Sequence, residues 1–316
     1  MRIHFLVAAH RDPNLLSRLC ARLLDTPNSA VTVQWDCANP RPVLDGDLDV
    51  DLRPTREPCE WGSGAQLDAM LTSMRALETA PFDWLVVLSG HDYPIRPLDE
   101  LAGMLADTSY ELFLEPEDGP VLLDDGAECD YLRDRYGYRY HWLPQRWWSR
   151  LPDGSRRVVG AGLQRTARTL ARNGRVRVQR RPANVFSPGI GTRVQRDPFT
   201  VERPCRKGSD WFLLSRPVFD DLLRESEASV DLLEHFRHSY CPNEAFFHTL
   251  LLPRWDHANA GHNLHYIRFV GDNAHPETVR DHDWAEVVGS GAFFARKFDA
   301  SDGALLDRID RELLRA

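Results

Sequence analysis

Residues 84–88, Trp-Leu-Val-Val-Leu, form an unbroken apolar run between Asp83 and the turn-forming Ser89-Gly90-His91-Asp92. Five residues are too few for an all-round apolar helix, and a strand buried on both faces is what uses such a run. Residues 3–9, with apolar Phe5 to Ala9, read the same way. Between them, residues 14–24 carry leucines at 15, 16, 19, 23 and 24, a helical stripe. Residues 31–35 predict a second strand ending at Asp36, and 66–77 a helix with Leu67, Met70, Leu71 and Met74 on one face. Doubly buried strands alternating with amphipathic helices predict βαβ units and a central, mostly parallel sheet flanked by helices, the α/β class.

Beyond residue 110 the spacing predicts a strand at 111–114, then an irregular stretch from about 120 to 205 with a helix near 164–172. Regular structure returns with a strand at 211–214 and helices at 217–224 and 243–251. Short strands at 264–269 and 286–288 precede a final helix at 305–314. There is no internal repeat, so a single domain over 1–316 is the simplest organisation.

Charge and motifs narrow the function. Lys and Arg number 39 against 47 Asp and Glu, a net charge of −8, which argues against a nucleic-acid or anionic-membrane partner. No apolar run approaches the roughly 20 residues of a spanning helix. The first ten residues lack the apolar core of a secretion signal, and the six cysteines include no C-x-x-C pair; a reduced, cytoplasmic protein is expected. No P-loop, dinucleotide fingerprint, G-x-S-x-G elbow or H-E-x-x-H is present. His235, His238 and Cys241 have ligand-like spacing, and His257, His262 and His265 form a looser group. Both are read as ordinary polar or core residues. The Asp-x-Asp triplets among Asp45, Asp47, Asp49 and Asp51 sit in an acidic loop segment and are read as solvated charge, whereas the buried strand at 84–88 is followed by one carboxylate, Asp92. A nucleotide-sugar site here would neutralise its diphosphate without a metal. Only Lys207 and Lys297 are lysines, the other 37 basic residues being arginine.

Leu-Ser-Gly-His-Asp-Tyr-Pro-Ile-Arg-Pro at 88–97 resembles glycosyltransferase family 14, the core-2/I-branching β-1,6-N-acetylglucosaminyltransferases and peptide O-xylosyltransferases. The likeness continues in order. Val33-Gln34-Trp35-Asp36 is similar to the strand whose aspartate meets the nucleoside. Trp61-Gly62-Ser63 precedes the helix with Ser73-Met74-Arg75. Segments 207–216 and 242–250 resemble the xylosyltransferase branch, and Phe293-Phe294-Ala295-Arg296-Lys297-Phe298 completes the set.

The resemblance implies a GT-A-like fold, a UDP-sugar donor, inversion at the anomeric carbon and no metal or other cofactor. Residues 1–120 would be a nucleotide-binding half, 121–205 an acceptor-facing excursion and 206–316 a catalytic half. By the same resemblance Glu244 is the general base and Asp210 its companion in Gly-Ser-Asp-Trp-Phe. Lys297 contacts the diphosphate, aided by an upstream arginine for which Arg280 is nearest, with Arg268 and Arg296 as alternatives. Ala9, His10 and Asp36 are expected at the nucleotide, and Asp92, Ser209, Trp211 and Tyr266 near donor or acceptor. The donor stays open among UDP-N-acetylglucosamine, UDP-xylose and UDP-glucose; the acceptor is a carbohydrate, glycoside or other hydroxylated molecule. Seven Trp and Tyr residues between Tyr131 and Trp148 suit either acceptor recognition or an aromatic mini-core under a long loop. Eukaryotic members usually carry a membrane anchor, stem and disulfides, which this sequence does not show, so a bacterial-type cytoplasmic enzyme is expected. The rival functions are a non-catalytic carbohydrate- or nucleotide-binding protein and a metal-dependent transferase.

Overall fold

The structure is a computed structural model that describes residues 1–121, 130–143, 145–170, 176–179, 187–196, 198–253, 260–270 and 276–314. The first part of the chain runs β1 (Ile3–Ala9), α1 (Pro13–Leu24), β2 (Ser29–Trp35), β3 (Val50–Pro54), α2 (Gly64–Arg75), β4 (Trp84–Ser89), β5 (Asp92–Pro94) and α3 (Leu98–Asp107). The middle contains β6 (Leu112–Phe113), β7 (Pro116–Val121), α4 (Asp130–Tyr136), β8 (Tyr138–Trp142), α5 (Gln145–Trp148), α6 (Asp153–Leu170), β9 (Val176–Gln179) and β10 (Gly189–Arg193). Then come β11 (Cys205–Gly208), β12 (Leu213–Ser215), α7 (Arg216–Ala228), α8 (Val230–Arg237) and α9 (Asn243–Leu251). The last elements are β13 (Ala260–Gly261), β14 (His265–Ile267), α10 (Trp284–Gly289), β15 (Phe294–Arg296) and α11 (Gly303–Glu312).

Among the described residues the main sheet has the order β13-β6-β12-β4-β1-β2-β3. Strands β4, β1, β2 and β3 are mutually parallel, and β12 runs antiparallel between β4 and β6. Side-chain alternation divides the core as expected of strands covered on both faces. Phe5, Val7, Val86 and Leu88 join the cluster under α1, α3 and α11, whereas Leu6, Leu85 and Val87 join the one under α2, α7, α8 and α9. The predicted stripes are the buried ones: Leu15, Leu16, Leu19 and Leu23 on α1, and Leu67, Met70, Leu71 and Met74 on α2. Each such burial contributes roughly 1.5–3 kcal/mol before the entropy of ordering.

Two expectations need correction. Residues 286–288 form part of helix α10, not a strand: Trp284 and Val287, three apart, pack on the core, while Val288 is exposed. The short edge ladder uses β15 instead, parallel to β14 and antiparallel to β5. The irregular stretch also holds more order than its pattern shows, since α6 begins eleven residues before the helix expected at 164–172, of which 171 and 172 lie outside the described residues. No helix among the described residues is long and apolar enough to cross a membrane.

Because β1 pairs with β2 on one side and β4 on the other, the chain leaves β1 in one direction and returns on the opposite flank. Open α/β sheets bind ligands at such a switch point, beyond the carboxyl ends of the strands. His10, Asp36 and the 89–92 turn all stand at that edge.

Candidate active site

Strand β11 delivers Lys207 and then the loop of Ser209, Asp210 and Trp211, with the Ser209 N–H donating to the Glu115 carbonyl at 3.0 Å. Helix α9 lies directly against it. Gly208 permits this approach, because a Cβ there would run into the His248 ring and the Glu115 carbonyl. The helix is fastened by His248 Nε2 donating to the Ser209 carbonyl at 2.9 Å, and by the Arg206 N–H donating to Thr249 Oγ1 at 3.1 Å. Glu244 occupies the first turn of α9, where the positive end of the helix dipole favours a carboxylate.

That carboxylate is gripped at one oxygen. Arg135 of α4 donates to Oε2, and Lys207 Nζ lies 3.2 Å from the same atom, its side chain only 5% exposed. Oε1 has no partner among the described residues. Two cations orient Glu244 through Oε2, leaving the other oxygen able to receive a proton. Asp210 is beside it, with Oδ1 buried and unpartnered among the described residues. Burial and the neighbouring Glu244 push the Asp210 carboxyl up, to about 7, against the opposing pull of Arg296, Lys207 and Arg135.

A pH test of stability follows. Folded Asp210 holds its proton between the ordinary carboxyl range and about pH 7, while the unfolded chain releases it, so stability falls as pH rises through that window. Asp210→Asn should therefore match the parent near pH 4 and be more stable at pH 8 by on the order of 4 kcal/mol. Thermal melts at the two pH values check this, and equal Tm differences at both would refute it.

Arg296 joins this cluster to the sheet edge. Its guanidinium lies 4.5 Å from the Trp211 ring centroid, and its Nε is 3.5 Å from Asp92 Oδ1. Asp92 is fully buried. Its carboxylate accepts from the Ser89 N–H and hydroxyl, both at 2.7 Å, and faces His265 Nε2 at 3.7 Å. Burial opposes that charge, but Arg296 and His265 hold the carboxyl below its usual range. Asp92 thus pins the 89–92 turn to β14 and β15.

Lys297 follows β15 directly, and its ammonium has no ion pair among the described residues. Burial, then Arg11 and Arg296, lower its pKa from the ordinary lysine value. His10 belongs to the same group: its ring meets His91 edge-on at 5.7 Å, and burial and then Arg11 lower its pKa. Ala9 ends β1 beneath it and is buried.

Other predicted site residues are engaged elsewhere. Arg280 pairs with Asp302 at 3.4 Å, and the arginines that act on Lys297 are Arg11 and Arg296. Arg268 pairs with Asp283 at 2.6 Å. Tyr266 donates to Glu286 at 2.8 Å. Asp36 Oδ1 accepts from the N–H groups of Ala38 and Cys59, at 3.0 and 3.1 Å, and so ties the β2 end to the 55–60 loop. Asp45, Asp47, Asp49 and Asp51 are exposed, as solvated charge should be. Tyr136, Tyr138, Tyr140 and Trp148 are buried, with Tyr140 stacked on Trp142 at 5.4 Å, so most of the aromatic stretch is a mini-core; Trp147 is exposed. The Tyr131 side chain and His257 lie outside the described residues. Among the described residues no cluster of three or more His, Cys, Asp and Glu side chains is arranged to hold a metal ion.

Sequence reasoning missed Arg135, Lys207 and Arg11 as members of the site. Lysine scarcity singled out Lys207, but nothing in its spacing connects it to Glu244, 37 residues away.

The family model for the Core-2/I-Branching enzyme matches residues 165–293, the segment containing Lys207, Asp210 and Glu244. Beta-glucuronosyltransferase GlcAT14A of Arabidopsis thaliana is 31% identical over 150 residues, covering 43% of this chain and 33% of the relative. GlcAT14B of the same plant is 34% identical over 144 residues, covering 41% and 32%. Xylosyltransferase 1 of Homo sapiens is 24% identical over 281 residues, covering 79% of this chain and 23% of that protein. The chain spans a third or less of the length of these curated relatives. The family match falls on the glutamate-bearing helix and its lysine-bearing strand, so over residues 165–293 the chain is similar to the core-2/I-branching enzymes, glycosyltransferase family 14.

Proposed function

We propose that this protein is an inverting glycosyltransferase that moves a sugar from a UDP-sugar to an acceptor hydroxyl without a metal ion. The observation carrying this reading is the pairing of a held carboxylate, Glu244, with a separate cation cluster around Lys297, the two linked through Arg296. The acceptor oxygen forms its bond to C1 on the face opposite the nucleotide, and its proton passes to Glu244 Oε1. The bond from C1 to the β-phosphate oxygen breaks, and its electron pair leaves with UDP. Lys297 and its neighbouring arginines stabilise that growing charge, as a metal does in other transferases. Arg135 and Lys207 fix the direction of the base.

The names of the relatives widen the donor panel to UDP-xylose, UDP-N-acetylglucosamine, UDP-glucose and UDP-glucuronic acid. The test is calorimetric titration of UDP and these four sugars in EDTA, followed by transfer assays with the tightest donor. Binding and turnover that persist in EDTA are expected. Binding that appears only with Mn²⁺ or Mg²⁺ defeats the metal-free mechanism, and no binding under either condition defeats the nucleotide-sugar reading.

A further inference from the structure

The turn between β4 and β5 brings an imidazole into a position with two distinct partners. His91 Nε2 lies 2.9 Å from Arg11 Nε, and its Nδ1 lies 3.3 Å from the Phe298 carbonyl. A guanidinium nitrogen can only donate, so Nε2 accepts, and Nδ1 carries the proton that is donated to Phe298. Burial, then the neighbouring Arg11, His10 and Lys297, push the imidazole down to about 4 despite Asp12, so this neutral tautomer persists at pH 7.

The backbone repeats the connection, because the Phe298 N–H donates to the His91 carbonyl at 2.9 Å. Phe298 follows Lys297 directly. One residue therefore fastens the segment bearing Lys297 by two hydrogen bonds and holds Arg11 by a third.

Arg11 stands just beyond the carboxyl end of β1, at the switch point between β1 and β4. Its Nε takes the His91 bond and lies 3.7 Å from Asp12. Its two terminal nitrogens have no partner among the described residues. These are the donors that a guanidinium presents to a phosphate in bidentate fashion. Lys297 has no ion pair among the described residues, and after burial Arg11 is the charge that lowers its pKa most. Asp12 is beside Nε, so the terminal nitrogens of Arg11 and the Lys297 ammonium are like charges whose repulsion an anion between them would relieve. Arg280 turns a terminal nitrogen, Nη1, to Asp302 at 3.4 Å, whereas Arg11 meets Asp12 through Nε.

We propose that Arg11 is the second cation of the diphosphate site and that His91 is its positioning residue, aiming the guanidinium toward the same phosphates as Lys297. This rests on the UDP-sugar reading above.

Isosteric replacements separate the two bonds of His91. Asparagine keeps a donor near Nδ1 for Phe298 and loses the acceptor for Arg11. Glutamine places an acceptor near Nε2. Titration of UDP and of uridine in EDTA into the parent and five variants (Arg11→Gln, His91→Asn, His91→Gln, the Arg11→Gln/His91→Asn double variant and Lys297→Met) decides the matter. Arg11→Gln and His91→Asn should each weaken UDP about tenfold while leaving uridine unchanged, the double variant should be no weaker than Arg11→Gln, and His91→Gln should recover most of the loss. If the parent binds UDP and Lys297→Met weakens it, but Arg11→Gln and His91→Asn bind like the parent, this inference fails and the donor reading stands. Equal losses for uridine and UDP in His91→Asn make the histidine merely structural and also overturn it. A parent that binds no UDP overturns both.

Discussion

Glu244→Gln is expected to lower turnover by about 10²–10⁴-fold while UDP affinity stays within about threefold of the parent. The amide matches the carboxylate in shape and cannot take the acceptor proton. The reason for expecting a clean loss lies in the local charges. Arg135 and Lys207 both approach Oε2, so the side chain is held with Oε1 outward, and the substitution changes the chemistry of that oxygen more than its place. The variant also leaves Lys207, which is nearly buried, without its carboxylate, so some stability is lost. Glu244→Asp controls for this: the charge remains, but the oxygen retreats by one methylene. It should fold like the parent and still lose about 10²-fold in turnover, because misplacement of that size removes a near-attack geometry. Parent-like turnover in Glu244→Gln would remove Glu244 from the role of base.

Lys297→Met should act on the other half of the reaction. The ammonium opposes charge that appears on the β-phosphate as the bond breaks, and losing such a group costs about 10²–10³-fold in rate. UDP should bind at least tenfold more weakly and uridine equally well, since only the first carries the diphosphate. Stability provides a second readout. Lys297 is held unfavourably by burial and by Arg11 and Arg296, so the methionine variant should melt at the parent temperature or above it. A Tm that drops with uridine binding would mean that Lys297 supports the fold instead of the ligand.

Strands and helices that face the core were legible because their pattern is local. Residues 3–9 and 84–88 could only be doubly buried strands, and the α1 and α2 stripes name the residues that are in fact buried. Where burial is one-sided and the element short, the pattern failed. Glu286-Val287-Val288 fits either a strand or a helical turn, and the packing of Trp284 and Val287 on the core selected the helix. Helix α4 and the first eleven residues of α6 lie in a stretch rich in arginine and glycine, where the pattern predicted only the helix near 164–172.

The sequence by itself determined the α/β class, the likeness to glycosyltransferase family 14, and the candidacy of Glu244, Asp210 and Lys297, because these depend on short-range periodicity and on motifs read in order. Which charges meet was decided only by the tertiary structure. Arg135 reaches Glu244 from 109 residues upstream, His91 reaches Arg11 across 80, and Arg280 pairs with Asp302 across 22. Periodicity reports how a residue faces the core. An ion pair depends on the separation of two side-chain tips within a few ångströms, and that separation is set by the packing of every element between them.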